Sequence, residues 1–564
     1  MFRTSLGAAR ARRCALVLTV FAFFVLLRAT AFGADSNQAL ATNGMVVAES
    51  EAGAKAGVEI LKDGGNAIDA ATGAALATCV TNAASCGVGG GGFMLIFHAK
   101  SAKLFALDYR ERAPAKSSAT MYIKDGKPDT SLSQSGALAV AVPGEIAGID
   151  AALKRFGTMT FQRVAAPAVR LARDGFTVSP LLAHELEMLA PKLAADPGFR
   201  GSFLTADGAP PKAGETISNK NLAATLERLG NDPVREFYHG DTARKIAASV
   251  RKAGGILTVD DLAQYDVVWR EPIHRPYKGF DVYTMPPPSS GGVVLEMLGM
   301  LESGHLGGLG VNTPPYLARI IEVMRQGFVD RSLYGDPAFV NVPIKQLLSD
   351  RHIGEARERA LGKKPVGAAS QAHDAGTSNL CVADREGNVV VLSTTINTIF
   401  GAKMMVPGLG IILNNEMDDF SVGVGIPNAY QLAGSEPNSI APGKRPLSSM
   451  APVIALKDGK PALALGGSGG PAIITGVLQV TLNVIDSHLD AARAVSEPRV
   501  HEQAVPDTVV VEEAIAEPAR AALGKMGYKL RVVPRLGAVG AITITPKGIS
   551  GANDPRKGGA AIGY

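Results

Sequence analysis

Between Ala375 and Asn397 the chain can fold in few ways other than as a hairpin. Leu380-Cys381-Val382-Ala383 reads as a strand, Arg385-Glu386-Gly387 as a three-residue turn, and the β-branched run Val389 to Asn397 as the returning strand. If Asp384 pairs with Asn388, Thr377 faces Thr395 at the open end of the hairpin. Asn397 then lies two residues further along the return strand, on the same face. Upstream, the polar run from Arg357 to Asp374, with Lys363-Lys364-Pro365, reads as an exposed linker.

A threonine at the start of a strand is ordinarily a strand residue and no more. The sharper reading is that cleavage before Thr377 makes it an N-terminal nucleophile. Its hydroxyl needs a base near neutral pH. A freed α-amino group has a reference pKa of about 7.7–8.0, and it sits on the same residue as the nucleophile. Gly376 has no Cβ and tolerates the backbone strain that cleavage at this bond needs.

The N-terminus reads as a targeting segment. Arg3, Arg10, Arg12 and Arg13 precede an apolar run from Ala15 to Leu27, and Ala29-Thr30-Ala31 is a small-residue cleavage site. The expectation is a signal peptide over 1–31 and an exported, periplasmic protein, with secretion or a retained membrane anchor as alternatives. The segment carries five of the 57 basic residues and none of the 52 acidic ones. The remainder is therefore charge-balanced, which argues against a nucleic-acid or polyanion partner. Past the segment the cysteines are Cys79, Cys86 and Cys381, enough for one disulfide at most. The nine histidines show no paired-ligand spacing, so no metal is expected. With 46% hydrophobic residues and 64 glycines, the chain reads as a large α/β or α+β protein.

Helices are predicted over 50–62, 66–80, 142–155, 161–173, 222–229, 293–301 and 317–329, and from about 473 onward. Gly87 to Gly92 contains GxGxxG, but a strand follows it and none precedes it. That order argues for close backbone packing and against a dinucleotide fingerprint. Arg110, at the end of the predicted strand 105–109, suits a solvated charge or a carboxylate clamp. Glu416, Asp418 and Asp419 beside a strand require solvent or a cation. Residues 421–436, with Tyr430, look like a mobile loop. Gly466-Gly467-Ser468-Gly469-Gly470 fits the G-x-S-x-G nucleophile elbow, with Asp486, Asp490 and His501 following in order; Pro471 and the lack of alternating parallel strands weigh against it. The same glycine N–H groups at a helix start would equally serve as an oxyanion hole.

Taken together, the segments GGNAIDAA, GVGGGGFM, YRERAP, PPPSSGG, DRSLYGDP, TSN at 377–379, TTINTIFG, LNNEMDDFS, KRPLSSM, GGSGG, GANDPR and the terminal GY resemble the gamma-glutamyltransferases (gamma-glutamyl transpeptidases). The resemblance implies an α+β, four-layer αββα N-terminal-nucleophile hydrolase sandwich. It implies self-cleavage at Gly376–Thr377 into a large subunit (32–376) and a small subunit (377–564) that stay together as a heterodimer. By motif match, Thr377 is the nucleophile and Thr395 steadies it. Arg110 binds the substrate α-carboxylate with Ser448 and Ser449. Asn397, Glu416 and Asp419 hold the α-ammonium end, Gly469 and Gly470 form the oxyanion hole, and Tyr430 sits on the lid loop. Asn379 replaces a His often found after the nucleophile, and Gly467-Ser468 replaces Ser-Pro. The implied partners are a small-molecule γ-glutamyl donor, such as glutathione, and water or an amine acceptor, with no cofactor. Two alternatives remain at this stage: a glutaryl (cephalosporin-type) acylase, and an unprocessed binding protein without catalysis.

Overall fold

Thr377 does face Thr395: the strand Ala375–Ala383 pairs antiparallel with Val389–Thr398. The computed structural model describes residues 37–362 and 375–564, apart from positions 231 and 305. In it this hairpin forms the middle of a seven-stranded sheet. The order is Ala560–Gly563, Met45–Ala48, the two hairpin strands, Gly91–His98, Lys103–Tyr109 and Val268–Arg270. A second seven-stranded sheet runs Gln38–Ala41, Gly548–Ala552, Ala538–Thr545, Lys460–Ser468, Val453–Lys457, Phe280–Thr284 and Ile273–Tyr277. All pairings in both sheets are antiparallel.

Strand alternation then sets the layers. Leu380, Val382, Val390 and Leu392 pack on the helices Glu51–Lys62 and Ala67–Thr81, through Ile60, Leu61, Leu76 and Val80. Cys381, Ala383, Val389 and Val391 point the other way. They share a core with Leu463, Leu465 and Val539 of the second sheet and with the helices Gly291–Glu302, Pro314–Arg331 and Ala472–Ile485. Helix, sheet, sheet, helix is the four-layer order expected. Ser50 caps the first helix, and Asn66 with Asp69 forms a capping box on the second.

The glycine run serves close approach. A Cβ on Gly90 would stand 1.9 Å from the Thr395 carbonyl oxygen, and one on Gly92 would stand 2.0 Å from that of Ser393. Only glycine lets this segment lie flush against the strand that carries Thr395.

One expectation fails. Residues 357–362 are not linker but the end of a helix, Asp350–Gly362, with Ile353, Ala356 and Ala360 buried. Three apolar contacts per thirteen residues are enough to dock a helix whose other faces are charged, and that sparse pattern passes for a polar linker. Residues 363–374 and the targeting segment lie outside the described residues. The helices Pro180–Leu193 and Asp241–Lys252 were not anticipated. Cys79 and Cys86 have their buried sulfurs 2.7 Å apart, and Cys381 is buried elsewhere. No described helix is long and apolar enough to cross a membrane.

Candidate active site

The hairpin register slips by one residue at a bulge between Gly376 and Thr377, so Asn397 faces Gly376 rather than continuing the simple alternation. The bulge lies at the bond where cleavage is expected. Thr395 Oγ1 donates a 2.7 Å hydrogen bond to the Gly376 carbonyl and accepts one of 2.9 Å from the Asn397 N–H. Its single proton is thereby used. In its 3.1 Å contact with Thr377 Oγ1, the Thr377 hydroxyl is therefore the donor.

Arg110 leaves the end of the strand Lys103–Tyr109 and is fully buried. Its guanidinium pairs with Glu416 at 2.7 Å, with Asp419, and more loosely with Glu111 at 3.5 Å. Its Nε–H donates to the Pro446 carbonyl at 3.3 Å. Glu416 and Asp419 come from one 3-10 turn, Glu416–Asp419. The acids are thus paired with a cation, not solvated. Burial works against the charge on Arg110, and Glu416, Asp419 and Glu111 outweigh it, so its pKa is raised. Burial pushes the Glu416 carboxyl well up against the opposing pull of Arg110. The third acid of the cluster, Asp418, points away, accepting from Ser133 at 2.6 Å and from the Ala429 N–H at 2.9 Å.

Ser448 and Ser449 are held from behind by the turn before the helix Gly291–Glu302. Ser290 Oγ donates to the Ser448 carbonyl at 2.6 Å, and the Ser448 N–H donates to the Pro288 carbonyl at 2.7 Å. The buried Arg331 links that turn to Ser449, donating to Ser290 Oγ at 2.9 Å and to Ser449 Oγ at 3.4 Å. Across the pocket, the Tyr430 hydroxyl donates to the Asn397 carbonyl at 2.7 Å, which fastens the irregular segment 421–436 at its middle. Gly470, with φ +58°, turns into the helix Ala472–Ile485, and a Cβ there would stand 2.9 Å from the Tyr430 ring.

One small pocket is lined by Arg110, Thr377, Thr395, Asn397, Asp419, Tyr430, Ser448, Ser449 and Gly470, with Met450 and Ile473 as apolar walls. Glu416 stands behind Arg110, outside that lining. Gly469 lines a larger neighbouring cleft that shares Tyr430 with this pocket. The nucleophile elbow does not form. Ser468 Oγ donates to Glu49 at 2.7 Å, while His501 bonds Thr475 and Gln503, each at 2.9 Å. Ser468 also ends a strand of an antiparallel sheet, not a parallel one.

The family model described as Gamma-glutamyltranspeptidase matches residues 53–564. The chain belongs to the gamma-glutamyltranspeptidase family. It is 39% identical over 527 residues to the glutathione hydrolase proenzyme of Escherichia coli, covering 92% of this chain and 91% of that protein. Among solved structures, a cephalosporin acylase from Bacillus halodurans matches with a TM-score of 0.84 at 30% identity, over 95% of this chain and 98% of that one. The Helicobacter pylori gamma-glutamyltranspeptidase matches with a TM-score of 0.53 at 34% identity, over 54% of this chain and 88% of that one.

Within this transpeptidase-family chain, Asn379 sits between the two sheets. It receives the Ser393 hydroxyl at 3.4 Å and leaves no room for a Cβ on Gly466. That departure therefore lies off the pocket. Arg331 went unnoticed in the sequence although it belongs to the quoted segment DRSLYGDP, because its partners are 41 and 118 residues away. Glu145 was also missed. It accepts from Thr394 at 2.9 Å, directly behind Thr395, and burial pushes its carboxyl up to about 8.

Proposed function

We propose that this chain is a self-processing γ-glutamyl hydrolase and transferase that acts on γ-glutamyl amides such as glutathione. The observation that carries the reading is the convergence of Thr377, Arg110, Asp419, Ser448, Ser449 and Gly470 on one pocket. Thr377 Oγ1 first attacks the Gly376 carbonyl, which Thr395 polarises. The amide nitrogen leaves as the Thr377 α-amine, and water hydrolyses the resulting ester. That free amine then acts as general base. Thr377 Oγ1 attacks the γ-amide carbonyl of the donor, the N–H groups of Gly469 and Gly470 receive the oxyanion, and the amine product leaves. Water or an acceptor amine releases the γ-glutamyl group from the ester.

Recognition follows from charge. The α-carboxylate of a γ-glutamyl donor suits Arg110 with Ser448 and Ser449. The α-ammonium on the same carbon suits Asn397, Glu416 and Asp419. A donor carrying both charges can separate Arg110 from its acids while leaving neither side unpaired. The likeness to a cephalosporin acylase favours a second reading, in which a glutaryl group is transferred. The ratio of kcat/KM for a γ-glutamyl anilide to that for its glutaryl analogue tests the choice. The exported, periplasmic location belongs to this proposal as well; Edman sequencing of the mature protein should begin near Phe32, whereas an N-terminus retaining the apolar run would refute it.

A further inference from the structure

A second polar cluster lies directly behind Thr377, outside the donor pocket. The Lys557 ammonium donates to the Thr377 backbone carbonyl and to Ser468 Oγ at 3.3 Å, and it pairs with Glu49 at 2.8 Å. Ser468 in turn donates to the other Glu49 oxygen at 2.7 Å. Glu49 is fully buried, and Lys557 keeps about a tenth of its side chain exposed.

Sheet topology explains why a side chain is needed there. The strand Met45–Ala48 flanks the nucleophile strand, but pairs with it only across Leu380–Ala383. Thr377, Ser378 and Asn379 run past its end. Glu49 is the first residue beyond that end. Lys557 precedes the neighbouring antiparallel strand, Ala560–Gly563, by three residues, so it emerges at the same end of the sheet. Ser468 reaches in from the last position of its strand in the opposite sheet. At this position the resemblance places proline, which has no hydroxyl to donate. The bond to Glu49 is thus a property of this chain's departure from the family pattern.

We infer that Lys557 is a positioning residue for Thr377, held in place by Glu49 and Ser468. The inference rests on Thr377 being the N-terminal nucleophile. In the uncut chain Thr377 is fixed by peptide bonds on both sides. After cleavage it is a chain terminus, and termini fray unless tied down. The Thr395 contact holds the hydroxyl. Lys557 holds the carbonyl, which leaves the new α-amine a restricted arc near its own hydroxyl.

Kinetics of the processed protein with a γ-glutamyl anilide test this. Lys557→Met should lower kcat by about ten- to a hundredfold, the scale expected when a reacting group is misplaced by an ångström. KM should stay within about twofold, since Lys557 does not line the donor pocket. Lys557→Arg should recover most of the loss. Ser468→Ala, which leaves every backbone contact in place, should show the same split to a lesser degree, and it serves as the test if Lys557→Met does not fold. Full kcat in Lys557→Met would overturn the inference, as would full kcat in Ser468→Ala where the Met variant is insoluble. Thr377→Ala, run alongside, separates the two claims: if it stays active the nucleophile reading fails, and if it is inert while Lys557→Met is unimpaired only the role of Lys557 fails.

Discussion

The Thr395 hydroxyl touches both atoms that must react if the chain cuts itself: it lies 3.1 Å from Thr377 Oγ1 and 2.7 Å from the Gly376 carbonyl oxygen to which it donates. A donor already aimed at a carbonyl strengthens its hold as negative charge develops there. Losing one such donor costs about a hundredfold or more in rate. Thr395→Val should therefore accumulate as an uncut chain, slowly giving two fragments, the smaller beginning Thr-Ser-Asn-Leu-Cys. Electrophoresis over a time course, with N-terminal sequencing, checks it; processing at the wild-type rate would contradict the assignment. Thr377→Ala should not process at all.

Tyr430 ties the segment 421–436 to the pocket through its bond to the Asn397 carbonyl. Tyr430→Phe keeps the ring against Gly470 and removes that bond, worth about 1 kcal/mol net. A loss of about fivefold in kcat/KM is expected for γ-glutamyl donors, with processing unaffected. Gly470→Ala should be worse, because its Cβ would have to displace the same ring.

Glu145 gives a stability signature. Its carboxyl is held up to about 8 by burial, against an ordinary value of 4.5. The folded state therefore keeps a proton that the unfolded chain releases above about 4.5, so the stability it contributes is present below that pH and is lost as pH rises toward about 8. Glu145→Gln can still accept from Thr394 and does not ionise. The fall in Tm between pH 5 and 8 should be smaller in this variant than in the parent, by roughly 2 °C or more. Parallel Tm curves would contradict it.

What the sequence made legible is what local pattern encodes. The β-branched run after Gly387 sets the hairpin, and alternation carries Thr377 and Thr395 to the same face. The apolar spacing gives the helices on either side. The bulge at Gly376 was not legible, because a one-residue slip of register between two strands leaves no mark on the residue pattern of either. The pairing of Arg110 with Glu416 and Asp419 spans about 300 residues; sequence placed the three groups in one site through resemblance but treated them as separate contacts. Lys557 was invisible for the same reason: its role exists only where two strands end beside a third.

Donor choice separates a γ-glutamyl enzyme from a glutaryl acylase. A glutaryl donor carries the distal carboxylate but no α-ammonium, so seating it would draw Arg110 from Glu416 and Asp419 and leave those acids without a cation. Deleting one partner of a buried pair costs about 3–5 kcal/mol, and even about 1.4 kcal/mol is tenfold in rate. The kcat/KM for a γ-glutamyl anilide should exceed that for the matching glutaryl anilide by well over tenfold, and Asp419→Ala should narrow the gap chiefly by harming the γ-glutamyl donor. Equal rates on the two anilides, or a preference for the glutaryl one, would contradict the assignment and favour the acylase.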